Sequence, residues 1–278
     1  MRKFVLSLLA AFLVFASTAS AQSASFIISQ HGISVGKASF NFTAGPSGYD
    51  STALVIINMK GLDYSLSKTE SLTSANHLRH VQLSAAVNGT AVNVTADPAP
   101  SSDQAAIQLT TSANGHATTT NLPEHVAAVF LPDFDPGALE TLLVLAVARN
   151  NRDLWAIIPK KEGSIVPIQL ATYADEKGTL DGNPIVVHHL VATIAGKDTD
   201  LFSGPENQLL QAEYPEYGYA LVRNGFVLTP PAKPGAPPTP PPGQSIAPPD
   251  AQAPVPPPDQ IPAPPPPPDQ IPPPPPPE

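Results

Sequence analysis

Residues 81–94 read VQLSAAVNGTAVNV, and they decide the fold. Val81, Leu83, Ala85 and Val87 alternate with polar or small neighbours, the period-two pattern of a half-buried strand. Asn88-Gly89 follows, a pair well able to take the positive φ angles of a two-residue hairpin turn. Val92 and Val94 resume the alternation on the way back. The same grammar recurs along the chain. Ile107, Leu109 and Thr111 mark a strand, and Asn114-Gly115 turns it into residues 117–120. Residues 25–42 read as a hairpin turning at His31-Gly32, with Phe26 and Ile28 before the turn and Ile33 and Val35 after it. The apolar phase then slips from odd positions to even ones (Phe40, Phe42) across Gly36, as a β-bulge would cause. Residues 49–59 form a long β-rich run, and Leu62, Tyr64 and Leu66 alternate. Strands are expected again at 153–158, 164–173, 184–194, 199–203, 208–214 and 219–228.

Between these two sets of strands the period changes. Asp135 suits an N-cap and Pro136 the first helical position. Leu139, Leu142, Leu143, Ala146 and Val147 then follow helical spacing, which predicts one apolar stripe on a helix from Pro136 to about Asn150. A shorter helix is expected over 123–130, with Val126, Val129 and Phe130 on one side. The expected fold is mainly β: a large curved antiparallel sheet, a half-barrel, with one or two central helices packed on its concave face.

Both ends of the chain have their own composition. Met1-Arg2-Lys3 is basic, residues 4–16 are apolar apart from Ser7, and Ala19-Ser20-Ala21 offers small residues at a cleavage point. That is the pattern of a signal peptide over 1–21, so export to the periplasm or the exterior is expected, with the mature chain starting at Gln22. No cysteine is present for a lipid anchor, a disulfide or a thiolate metal site. Residues 230–278 hold 26 of the 37 prolines and repeat PPPDQIP at 256–262 and 266–272. Proline lacks an N–H and fixes φ, so this tail is expected to be disordered or polyproline II. The β-rich domain is therefore 22–229. Lys and Arg number 14 against 23 Asp and Glu, a net charge of −9. So acidic a chain is a poor binder of phosphate backbones, which argues against nucleic acid.

The opening ISQHGISVGKASFNF, with Gly32 and Gly36, and the later Asn207-Gln208-Leu209-Leu210 followed by Leu221-Val222-Arg223 resemble an uncharacterised family of exported bacterial half-barrels. The resemblance spans about residues 25–228. That family is similar in outline to the LolA/LolB lipoprotein carriers, whose curved sheet and helical plug hold acyl chains. The resemblance implies a half-barrel fold and no catalytic residue.

Candidate sites are few. His77 and His80 would share a face only on a helix; on a strand they point apart, as do the neighbours His188 and His189. A residue of that last pair shares a face with Ile185, Val187 and Val191, which suits a hydrogen-bonded histidine better than a metal ligand. Asp133 and Asp135 flank Phe134, but capping accounts for Asp135 without catalysis. Arg223 lies on a strand near Tyr214, Tyr217 and Tyr219, where it could stack on an aromatic or bind a carboxylate. No nucleophile elbow, zinc motif or phosphate loop occurs, so no catalytic residue, metal or cofactor is expected. The sequence thus points to an exported, non-enzymatic periplasmic binding or scaffold protein. A lipid-like hydrophobic ligand would meet Leu139, Leu142, Leu143, Ala146 and Arg223. The alternative is a cell-envelope interaction protein whose Pro-rich tail contacts an envelope protein or the cell wall.

Overall fold

The computed structural model describes residues 20–100, 105–160 and 163–230; most of the expected signal peptide and all but the first residue of the Pro-rich tail lie outside the described residues. Asn88 and Gly89 take φ angles of 48° and 80°, and Asn114 and Gly115 take 51° and 76°, as two-residue hairpin turns require. These turns set up a meander: β1 Ser20–Gln30, β2 Ile33–Gly45, β3 Gly48–Met59, β4 Leu62–Thr73, β5 Leu78–Val87, β6 Thr90–Pro98, β7 Ala106–Ala113 and β8 His116–Pro123. The short strand β9 Ala128–Phe130 and the helix α1 Pro136–Ala148 follow. A second meander comprises β10 Leu154–Ile158, β11 Ser164–Thr172, β12 Glu176–Leu180, β13 Asn183–Ile194, β14 Lys197–Ser203, β15 Leu209–Tyr214, β16 Tyr219–Arg223 and β17 Phe226–Leu228.

The two meanders are joined by their first and last long strands, because β1 pairs with β2 on one edge and β16 on the other. The result is one large, open, curved sheet. In ladder order it runs β9, β10, β11, β13, β14, β15, β16, β1 and then β2 to β8. Every pair is antiparallel except β9 with β10, which is parallel. The expected bulge is present: Ile28 pairs with Gly36 but Ser29 with Ser34, so Val35 is the extra residue.

Register puts the apolar positions in rows across the concave face. One row is Phe26, Ala38, Val55, Leu66, Ala85 and Val92. The next two place Lys68 between Ala53 and Leu83, and Glu70 between Ser51 and Val81. Two charged residues therefore point into the core from β4, on the same face as Leu66 and Leu72. All four are buried.

Helix α1 lies against this face. Asp135 caps it, its Oδ1 accepting from the N–H groups of Gly137 at 2.8 Å and Ala138 at 3.1 Å. Pro136 is at the first position, as expected. Gly137 lets the helix approach closely: a Cβ there would stand 3.3 Å from Phe40 Cβ and 3.4 Å from Ala53 Cβ. Leu139, Leu142, Leu143 and Ala146 are buried, but so are Ala138, Glu140, Thr141 and Leu145. The helix is surrounded rather than laid on a surface, because β9, β10 and β15 pack on it as well as β2 and β3. Val147, at the end of the expected stripe, is instead 55% exposed. Burying a leucine fully contributes about 2 kcal/mol, so this helix is a main part of the core.

The second helix expected over 123–130 does not form. β8 ends at Pro123, Ala127 takes a positive φ of 57°, and Ala128–Phe130 is strand β9. The spacing of Val126, Val129 and Phe130 imitated a helix because Ala127–Phe130 is buried on all sides, so both strand faces are apolar.

A second, smaller core lies on the convex side. The end of β13 nearer its start pairs with β12, and β12 pairs with β17, while the far end of β13 pairs with β11. Val187, Phe202, Leu210 and Phe226 are buried together there, with Leu180, Ile185, Val222 and Leu228 around them. Phe202 and Val222 project to this side while their neighbours Leu201 and Leu221 enter the main core. β12 was not expected from the sequence, and the run expected over 219–228 is divided by a turn at Asn224-Gly225.

Candidate functional site

The segment leading into α1 collects most of the chemistry. Phe134 has a positive φ of 59°, which turns its ring back into a group of tyrosines. Ring centroids lie 6.3 Å from Tyr64, 5.9 Å from Tyr214 and 4.8 Å from Tyr219. Burial pushes the Tyr64 and Tyr214 phenols up, and the nearby carboxylates of Asp133 and Asp135 add to the effect. Both stay protonated, and Tyr64 Oη donates to the Asp133 carbonyl at 3.4 Å.

Behind this group is a closed ion cluster. Lys68 Nζ lies 2.7 Å from Glu70 Oε2 and 2.7 Å from Asp135 Oδ2, with all three side chains fully buried. Burial alone would push the ammonium down, but the two carboxylates reverse this and raise it, so Lys68 stays charged. Glu70 Oε1 accepts from the Phe130 N–H at 3.0 Å, and Lys68 donates weakly to the Phe130 carbonyl at 3.5 Å. Phe130 is on the edge of β9 that has no neighbouring strand. Lys68 and Glu70 thus supply the donor and acceptor that a next strand would have provided. Each carboxylate oxygen meets a donor or the ammonium, Asp135 Oδ2 through its ion pair with Lys68 alone, and the surplus negative charge faces the N-terminus of α1, whose dipole favours it. Such a cluster fixes β4, β9 and the start of α1 to one another and leaves no group free to react.

Glu140, one turn further along α1, is treated differently. Its Oε2 accepts from the Leu209 N–H at 2.7 Å, but its Oε1 is buried without a partner. Burial raises its carboxyl from 4.5 to about 7, against the opposing pull of the Leu209 N–H and the Arg223 charge.

Of the clefts around this framework, three bear on the residues singled out from the sequence. The first, about 260 Å³, lies at the end where the helix enters. Leu131, Leu139, Ile158, Ile194 and Tyr214 give it apolar walls. Its rim carries Lys160, paired with Asp133 at 2.8 Å, and Lys197, paired with Glu216 at 2.9 Å. The second, about 280 Å³, lies beside the far end of the helix and is lined by Leu143, Ala146, Leu190 and His188. The third, about 480 Å³, is polar and is lined by Ser23, Ser25, Ser39, Asn41, Asp181, Arg223 and Asn224.

The residues singled out from the sequence are therefore not brought into one cavity. Leu139 lines the first cleft, Leu143 and Ala146 the second, and Arg223 the third; Leu142 is sealed between them. Arg223 ends β16, whereas Tyr214 and Tyr219 pair at the other end of that strand, beside the first cleft. Three histidines pair singly with carboxylates: His77 with Glu124, and His80 with Asp97, both at 2.6 Å, and His188 with Asp175 at 2.9 Å. His189 stacks between Tyr173 and Phe202, its nitrogens facing Asp200 at 2.9 Å and Glu176 at 3.3 Å. Among the described residues no group of three or more such side chains is arranged to hold a metal ion.

Sequence reasoning missed Lys68, Glu70 and Glu140. A signal for the first two was present, since they continue the even-numbered alternation of Leu62, Tyr64 and Leu66 as far as Leu72. The chain matches no protein-family model, no curated protein and no solved structure.

Proposed function

We propose that this chain is an exported, non-enzymatic binding or scaffold protein that takes an apolar group at the helix-entry end of its half-barrel. The observation that carries this reading is the cleft walled by Leu131, Leu139, Ile158, Ile194 and Tyr214. Its lysines are already paired with carboxylates, so its attraction is for apolar surface rather than for an anionic head. The concave face of the sheet is occupied by α1, so the ligand seat is at the end of the helix rather than along it. About 260 Å³ falls just below the range of sites that enclose a drug-sized molecule, which begins near 300 Å³. The cleft suits one short apolar group, such as the end of a chain or a single ring.

A neutral naphthylamine probe, whose fluorescence rises in apolar surroundings, tests it. The wild type should enhance the probe, Leu139→Ala should change its affinity, and Ile158→Glu, at a wall position that is only partly buried, should abolish binding with the fold intact by circular dichroism. A wild type that leaves the probe dark overturns the ligand reading and leaves the scaffold role.

A further inference from the structure

We propose that Asn114 is a site of spontaneous covalent modification, at which ring closure onto the Gly115 nitrogen releases ammonia and leaves an isoaspartate that loosens the edge strand β8. The chain carries Asn-Gly at 88–89, 114–115 and 224–225. A glycine after asparagine favours this reaction, because no side chain shields the attacking nitrogen. The three pairs are equal as sequence, and the structure sets them apart.

Asn88 is held through its side chain and its backbone. Its Oδ1 accepts from the Asp63 N–H at 2.8 Å, its Nδ2 donates to the Gly61 carbonyl at 3.4 Å, and its own N–H donates to the Asp63 carbonyl at 2.7 Å. The carboxamide is tied to the turn between β3 and β4, and its hairpin has a strand on either side, β4 and β7. Asn224 is held through the backbone. Its N–H donates to the Ser25 carbonyl at 2.8 Å, and the Gly225 carbonyl accepts from the Asp181 N–H at 2.9 Å. The Asp181 carboxylate packs against Gly225 so closely that no side chain would fit there. Its negative charge opposes loss of the Gly225 amide proton, which the reaction requires.

Asn114 has none of these restraints. It is exposed, and its side chain makes no hydrogen bond among the described residues. It stands at the tip of the β7–β8 hairpin, and among the described strands β8 pairs with β7 alone. Closing the ring takes rotation about the Asn114 Cα–C bond, so the turn that holds φ at 51° has to open first. A hairpin at the sheet edge opens locally at low cost, and one flanked on both sides does not.

The Gly115 nitrogen, having given its proton to hydroxide, bonds to the Asn114 Cγ. The Cγ–Nδ2 bond breaks, and ammonia leaves with a proton from water. Water then opens the cyclic imide. Attack at Cγ gives aspartate; attack at the main-chain carbonyl leaves the chain running through Cγ, which adds a backbone atom between the Asn114 Cα and Gly115. A two-residue turn has no slack for it. Of the β8 residues Leu122 alone is buried, so little else holds the strand in register.

The test is incubation of the folded protein in mildly alkaline buffer below its unfolding temperature, followed by peptide mapping that separates aspartyl from isoaspartyl products. A sample unfolded in urea is run alongside. In the folded protein Asn114 should convert several-fold faster than Asn224 and Asn88, and in urea the three rates should converge. Hydrogen exchange on the aged protein should show β8 unprotected in the isoaspartyl form, with β5 and β6 unchanged. Asn114→Gln, whose longer side chain cyclises far more slowly, should keep β8 protected through the same incubation. The proposal is overturned if Asn88 or Asn224 converts as fast as Asn114 in the folded protein. It is overturned equally by an isoaspartyl form whose β8 stays protected, or by loss of β8 protection in Asn114→Gln.

Discussion

Glu70 and Glu140 both point into the core, and both accept a backbone N–H from a place where the sheet is irregular. Glu70 serves Phe130 on the open edge of β9, and Glu140 serves Leu209 beside the register shift between β14 and β15. The difference is in the second oxygen. Glu70 gives its second oxygen to Lys68, which also holds Asp135, whereas the second oxygen of Glu140 has nothing. Desolvation is repaid inside the protein in the first case and only partly in the second. The first arrangement is a fixed joint, and the second is a group whose charge depends on its surroundings.

The largest expected effect comes from breaking the fixed joint. Lys68→Met leaves Glu70 and Asp135 buried without a cation and should destabilise the domain by about 4 kcal/mol in urea unfolding near neutral pH. A loss below about 1 kcal/mol would mean that the two carboxylates reach water. Leu143→Asp creates a carboxyl on α1 that lacks even the backbone donor Glu140 has. It should cost several kcal/mol near pH 8 and less near pH 5, where the new group is protonated. An unchanged stability would show that the helix is on the surface.

Glu140→Gln sharpens the contrast. The folded carboxyl is raised from 4.5 to about 7, so the wild type is favoured below about pH 4.5 and loses that advantage as pH rises through about 7. The loss should total about 3 kcal/mol. The glutamine retains an acceptor for Leu209 but cannot ionise, so the difference in stability between variant and wild type should move in its favour from pH 5 to pH 8. A difference that is flat with pH would show that Glu140 titrates normally. The smallest effect is at the surface. Lys160→Met removes an ion pair whose side chains are 64% and 49% exposed, and should change stability by less than about 1 kcal/mol. A larger loss would put Asp133 in the same class as Asp135.

The turns were plain in the sequence because Asn-Gly pairs and the Asp-Pro helix start act locally. Asn88-Gly89, Asn114-Gly115 and Asp135-Pro136 stand where their chemistry placed them. What was hidden depends on partners distant in the chain. Lys68 and Glu70 read as polar positions of a surface strand until α1 and β9 are laid over them. β12 carries Glu176, Lys177 and Gly178, which show no alternation, and it is held by β13 and β17. Ala128–Phe130 looked helical because a short strand buried on both faces has no period of its own. The clefts were illegible for the same reason: the apolar stripe on α1 was visible, but not that strands divide it between two openings.

The pairing of Phe26 with Arg223 also sets an order of events during synthesis. The first eight strands can assemble as soon as they emerge, since each pairs with its neighbour in sequence. β1 then waits with one edge bare until almost two hundred further residues have been made. Contacts of such separation form slowly, and a bare edge invites wrong partners meanwhile. The nascent domain is thus most vulnerable to aggregation not at its first residues' emergence but through the interval before β16 is delivered. A chain cut anywhere between α1 and β16 would be held in that unfinished state.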